Sequence, residues 1–205
     1  MTTDKQLLKS PPTESGNLSF ISDPANPVPY RDRKDIKFRF TPRPYMADDQ
    51  RFASQRDDVL VFQTPPLESA MTVVGKINSH LQVSTSQSDA DWIVKLIDVY
   101  PDDHPPIKGS KKGINFGGFQ QMVRSEVIRG RFRNSFEKPE PFESNKATTV
   151  NLTLQDVAHT FKPGHRIMVQ VQSTWFPLID RNPQKYVDNI FKATQEDYVL
   201  SLIHI

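Results

Sequence analysis

Carboxylates and imidazoles carry most of the potential chemistry in this sequence. The acidic clusters are Asp48-Asp49, Asp57-Asp58, Asp89/Asp91 and Asp102-Asp103. Paired carboxylates suit an acid and a base, a calcium ion held by loop oxygens, or the solvation of turns, and the last is the favoured reading. The histidines are His80, His104, His159, His165 and His204. No two of them have zinc-ligand spacing with a third candidate nearby. The chain has no cysteine, so it has neither a thiolate site nor a disulfide framework. There is no G-x-S-x-G elbow, H-E-x-x-H helix, Walker loop or G-x-G-x-x-G turn. No residue is therefore given a catalytic role, and no metal and no cofactor is expected.

The elements that would position such groups are strands. In 205 residues, 17 prolines stand against 8 glycines. That ratio fits short strands joined by stiff loops and fits helices badly, since an interior proline costs a helix about 3 kcal/mol. Lys and Arg number 26 and Asp and Glu 24. So small an excess makes no continuous field. The basic cluster Arg31, Arg33, Lys34, Lys37, Arg39 and Arg43 is diluted by Asp32 and Asp35, and no nucleic-acid partner is expected. No apolar run approaches the roughly 20 residues of a membrane span, and no membrane partner is expected. The N-terminal residues lack the apolar core of a signal peptide.

"ISDPANPVPYR", Ile21 to Arg31, carries Pro24, Pro27 and Pro29. Each proline fixes φ and removes a donor, so the stretch must run extended across a surface. "DIKFRF", 35–40, alternates as a half-buried strand, and 41–58 reads as a long docked loop. "DVLVFQT" reads as a short strand. "MTVVGKINSHLQVSTS" alternates, with Met71, Val73, Ile77, Leu81 and Val83 on one face. "DWIVKLIDVYPDD" is apolar on both faces and should be a central strand. A strand over 122–133, then "TTVNLTL", "HRIMVQVQS" and "DYVLSLIHI", complete the set. Leu7 and Leu8 suggest a short strand, and only 185–194 reads as a helical turn. About eight strands with long connections predict an all-β, jelly-roll β-sandwich with Pro-rich loops. In "STWFPLIDRNPQ", Trp175, Phe176, Leu178 and Ile179 lie outside any strand. They either form an exposed interface patch or tuck under their own sheet, and Asp180–Arg181 is a candidate local ion pair.

"SDPANPVPYR", "DQRFASQRDDVLVFQTPPL", "ADWIVKLIDVYPD", "IRGRFRNSFEKPEPF", "HTFKPGHRIMVQVQSTWFPLIDRNPQ" and "FKAT" follow one another in that order. They resemble the C-terminal domain of the X-Pro dipeptidyl-peptidase/cocaine-esterase hydrolases, the CocE/NonD family, with the flavour of α-amino acid ester hydrolases and glutaryl cephalosporin acylases. The resemblance implies a galactose-binding-like jelly roll. It implies a parent serine hydrolase of peptide, amide or ester bonds, with dipeptidyl-peptidase activity by family. Its α/β-hydrolase domain and helical cap would be this domain's partners in the same parent chain. The family's catalytic serine, aspartate and histidine belong to the hydrolase domain, and none maps onto this sequence.

Residues 1–205 are accordingly expected to be one β-sandwich domain, a fragment of that hydrolase, inactive alone and helping to wall the active-site cleft. The resemblance makes Phe40, Tyr45 and Met46 the candidates for cleft contact. Trp175, Phe176 and Pro177 are the domain-interface candidates. An independent carbohydrate- or ligand-binding module is the alternative, with Trp92 or Trp175 stacking on a sugar. Met1 falls where a first strand should already be under way, so it reads as an internal start. "LSLIHI", 200–205, resembles the translated end of a library adapter, which would make the chain a truncated reading frame. A homo-oligomer of the parent enzyme stays open, and localisation and substrate are not legible.

Overall fold

The computed structural model describes residues 1–13, 15–32, 43–110 and 113–205. Among these residues the frame is eight strands: β1 (Ser19–Ser22), β2 (Val59–Gln63), β3 (Met71–Thr85), β4 (Asp91–Val99), β5 (Gln120–Arg129), β6 (Thr148–Phe161), β7 (Arg166–Gln172) and β8 (Ser201–His204). They form two antiparallel sheets with orders β1-β8-β3-β6 and β2-β7-β4-β5. Every connection except β4–β5 passes from one sheet to the other. The chain thus alternates between the two layers of a β-sandwich, as an all-β reading requires.

β4 is central, between β7 and β5, and all nine of its residues are buried. Its even-numbered side chains face the opposing sheet. There Trp92 and Val94 join Phe20, Phe62, Leu81, Val150 and Ile203 in the main core. Its odd-numbered side chains point outward and are buried all the same: Ile93 with Tyr30 and Trp175, and Ile97 with Met168. Both faces therefore need a cover, as the doubly apolar reading of "DWIVKLIDV" requires. β3 alternates as expected, with Leu81 and Val83 inward and Lys76, Asn78, His80 and Gln82 exposed. Its pairing with β6 slips between Gly75 and Ile77, where Gly75 takes φ 99°. This is a bulge at a residue without a Cβ to oppose it.

The outer face of the β2-β7-β4-β5 sheet is covered by the segment between β1 and β2 and by the loop after β7. The proline strip lies against that loop as a parallel bridge between Pro29 and Phe176. The Val28 N–H donates to Thr174 Oγ1 at 2.8 Å, Phe176 N–H to the Val28 carbonyl at 2.9 Å, and Tyr30 N–H to the Phe176 carbonyl at 2.9 Å. Pro27 and Pro29 occupy the alternate positions, whose donors would point away. The strip thus forms all the inward bonds it can while its prolines lower the cost of ordering it. Val28 and Tyr30 are buried beneath it.

The structure departs from the sequence reading at several elements. β1 was not foreseen, because four residues are too short to establish alternation. The 41–58 loop holds a 3-10 turn over Arg43–Ala47 and one helical turn, α1 (Arg51–Ser54), so 185–194 is not the sole helical segment. Near Leu7 there is only a bridge, between Gln6 and Gln63. β5 stops at Arg129 because the chain turns into a 3-10 segment over Gly130–Phe132. The 35–40 strand lies outside the described residues.

At that turn a Cβ on Gly130 would sit 2.5 Å from Phe142 Cε2 and 2.6 Å from the Ala90 carbonyl oxygen. One contact is a core ring and the other is backbone, so neither can give way easily. Gly130→Ala is expected to lower the unfolding free energy by about 1–3 kcal/mol, read as a lower urea midpoint with an unchanged slope.

Candidate functional site

The loops β1–β2, β3–β4, β5–β6 and β7–β8 meet at one end of the sandwich, because the five-residue β3–β4 link fixes those strand ends together. Bonds between the loops tie this end: Asp89 N–H to the Gln184 carbonyl at 3.0 Å, Phe142 N–H to Ser88 at 2.9 Å and Gly130 N–H to Ala90 at 2.8 Å. Candidates from distant parts of the sequence gather beside it. Tyr45 meets Trp175 edge-to-face at 6.0 Å and Tyr30 at 5.8 Å. Met46, next to Tyr45, is 51% exposed. Trp175 is buried, whereas Phe176 and Pro177 are half-buried and joined by a cis peptide. Trp175 therefore supports the surface from beneath, and Tyr45, Met46, Phe176 and Pro177 reach it. Phe40 lies outside the described residues.

Beneath this cluster sits Lys95, which is 0% exposed. Its ammonium donates to Gln50 Oε1 at 3.1 Å and lies 4.8 Å from the Trp175 ring centroid. Burial pulls its pKa down from 10.5 to about 7. The sequence reading passed over Lys95 and Gln50. A lone lysine amid a doubly apolar strand was itself the missed signal.

The acidic clusters are engaged by arginines. Arg31 pairs with Asp48 at 2.6 Å, Arg56 with Asp58 at 2.7 Å, Arg129 with Asp91 at 3.1 Å and Arg131 with Asp89 at 2.6 Å; Arg51 holds Asp49. Asn182 donates to Asp91 at 2.7 Å, and Arg131 also reaches the Val187 carbonyl at 2.6 Å. These pairs pin the loop after β7 to the ends of β4 and β5. Asp102 and Asp103 are exposed. Arg181 does not pair with Asp180. It donates to the Pro24 carbonyl at 3.1 Å and stacks on Tyr198 and Phe176, while Arg129 takes the Asp180 carbonyl. Among the described residues no group of three acidic or imidazole side chains has metal-binding geometry.

At the opposite end Asp98 accepts from His159 Nε2 at 2.8 Å and His165 Nδ1 at 2.7 Å. This bridges β4, β6 and the turn before β7. Among the described residues no serine hydroxyl is hydrogen-bonded to either ring, so the arrangement lacks a nucleophile. Trp92 is fully buried and Trp175 nearly so, which leaves neither indole a free face for a sugar.

Burial raises Asp91 from 3.8 to about 6, with Arg129 and Asn182 opposing the shift. A carboxyl whose folded pKa is raised holds its proton more tightly when folded. Its contribution to stability is therefore full below its unfolded pKa and is lost as pH rises through about 6. Asp91→Asn has no such loss. Urea titrations of the two chains should show the variant gaining stability relative to wild type between pH 4 and pH 7. A constant difference would contradict the raised pKa. Arg131→Met strands the buried Asp89 carboxylate and is expected to cost about 3–5 kcal/mol in the same measurement.

Residues 2–199 match the model of the X-Pro dipeptidyl-peptidase C-terminal non-catalytic domain. An aminopeptidase from a marine sediment Thaumarchaeota archaeon superposes at TM-score 0.90 and 42% identity over 99% of this chain and 33% of its own. An α-amino acid ester hydrolase superposes at TM-score 0.86 and 41% identity, over 98% of this chain and 32% of its own. Cocaine esterase from Rhodococcus sp. (strain MB1 Bresler) is 34% identical over 170 residues, 83% of this chain and 26% of that protein. The chain thus spans a quarter to a third of these relatives' length. With the family model covering nearly the whole chain and a superposable two-sheet body, this protein belongs to the X-Pro dipeptidyl-peptidase C-terminal non-catalytic domain family, found in CocE-type hydrolases.

Proposed function

We propose that this chain is the β-sandwich part of a larger serine hydrolase acting on amide or ester bonds of peptide-like or amino-acid-derived substrates. Its partners are the α/β-hydrolase domain and helical cap of the same parent chain. The observation that carries the reading is the extent of the match: nearly all of this chain corresponds to only about a third of each solved hydrolase. The nucleophile, its base and the acid that orients it then lie in the remaining two thirds. The sandwich supplies shape: a rigid surface that packs on the catalytic part and closes one side of the cleft.

Tyr45 and Met46, with Phe40, are the residues we assign to the cleft. Trp175, Phe176 and Pro177 are assigned to the contact with the catalytic domain, Trp175 from beneath. Supporting this are the 51% exposure of an unbranched apolar side chain at Met46 and its anchorage through Tyr45 to a buried tryptophan. A flexible thioether on a fixed base suits a wall that must fit an apolar substrate group.

The isolated chain is expected to show no turnover of p-nitrophenyl esters or X-Pro anilides. Robust turnover blocked by a serine-directed inhibitor would overturn the reading. In a chimera where this chain replaces the corresponding third of the α-amino acid ester hydrolase, Tyr45→Ala and Met46→Ala should raise KM several-fold. Unchanged kinetics for both would remove them from the cleft.

A further inference from the structure

We infer that Lys95 is a positioning residue, a cationic prop beneath the outer cover of the sheet that holds Trp175, and through it Tyr45, in place only while the amine carries its proton. The inference rests on the proposed function for its consequence in the parent enzyme, but not for its physical content.

Lys95 projects from the middle of β4 on the face opposite the main core. Its register partners are Gln170 on β7 and Ser125 on β5, neither of which carries charge. Among the described residues of the elements lying over it, the titratable groups include the phenols of Tyr30 and Tyr45 and the carboxylates of Asp48 and Asp49, which Arg31 and Arg51 already engage. The loop after β7 contributes Asp180 and Arg181, both exposed. Among the described residues no carboxylate pairs with the ammonium, and desolvation is the one cause of its lowered pKa.

Two contacts remain. Gln50 Oε1 accepts from Nζ at 3.1 Å, and the glutamine's own amide donates to the Asp48 carbonyl at 2.9 Å. That contact ties Lys95 to the segment between the Arg43–Ala47 turn and α1. The other is the Trp175 ring, 4.8 Å from Nζ, whose π face attracts a cation and has no comparable attraction for a neutral amine. Trp175 in turn carries Tyr45. Loss of the proton removes the Lys95–Trp175 attraction and leaves the geometry of Tyr45 to packing alone. The sign follows: the prop is present below the pH at which Lys95 titrates and absent above it.

The test uses the whole chain and its two tryptophans as internal probes. Trp92 lies in the main core against Phe142 and away from Lys95, so its indole reports general structural change. The indole 1H–15N cross-peak of Trp175 should move with a midpoint near pH 7, while that of Trp92, next to Asp91, shows no midpoint there. In Lys95→Met, which replaces the buried charge by an apolar chain of similar length, the Trp175 peak should be flat. A flat Trp175 peak in the wild type, or a titration that survives in Lys95→Met, would overturn the inference. If that variant does not fold, the wild-type Lys95 13Cε resonance decides: it must share the Trp175 midpoint, and a different midpoint overturns the inference. A flat titration would remove the prop and leave the docking role standing. A chimera indifferent to Tyr45 and Met46 would do the reverse.

Discussion

Burial of β4 on both faces is the constraint around which the molecule is arranged. A strand apolar on one side needs only an opposing sheet. This one has Ile93, Ile97 and Val99 outward as well as Trp92, Val94 and Leu96 inward, and every residue is buried. A second cover must therefore exist, and the segments before β2 and after β7 provide it. Those segments also carry the family's candidate contact residues. The layer that completes the hydrophobic enclosure is thus the layer proposed to meet the catalytic part.

Charge is handled differently in the two layers. Near the loop-bearing end, buried Asp89 and Asp91 each have an arginine from the end of β5 or just beyond, and Asn182 closes the arrangement. Removing one partner there is costly, because the other remains desolvated. Under the cover, Lys95 has no charged partner among the described residues, only an amide oxygen and an aromatic face. The first arrangement locks loops to strands. The second is a weak point, and it lies directly under the aromatic residues that reach the surface.

Period-two alternation made β3 legible, and the doubly apolar run made β4 legible as central. The residue types at Pro163-Gly164 suit the turn found there, where Gly164 takes φ 80°. β1 and α1 escaped notice because four residues are too few for a period to show. Their existence depends on distant partners, β8 for one and the outer sheet face for the other. The Asp–Arg pairings were hidden for the same reason. Asp91 and Arg129 are 38 positions apart and meet only through the β4–β5 register. The family motifs identified the candidate residues, but exposure sorted them: a single sequence does not say that Trp175 is a support while Met46 beside it is open.

The strip's spacing of prolines also shapes the side turned away from Thr174 and Phe176. Val28 and Tyr30 turn their N–H groups toward Thr174 and Phe176. The positions whose amides would face outward are Pro27 and Pro29, which have none. That side consequently lacks donors at both positions, and a strand laid along it would find no complete ladder to extend. A segment shaped to complete its own domain is by the same arrangement a poor template for cross-β stacking.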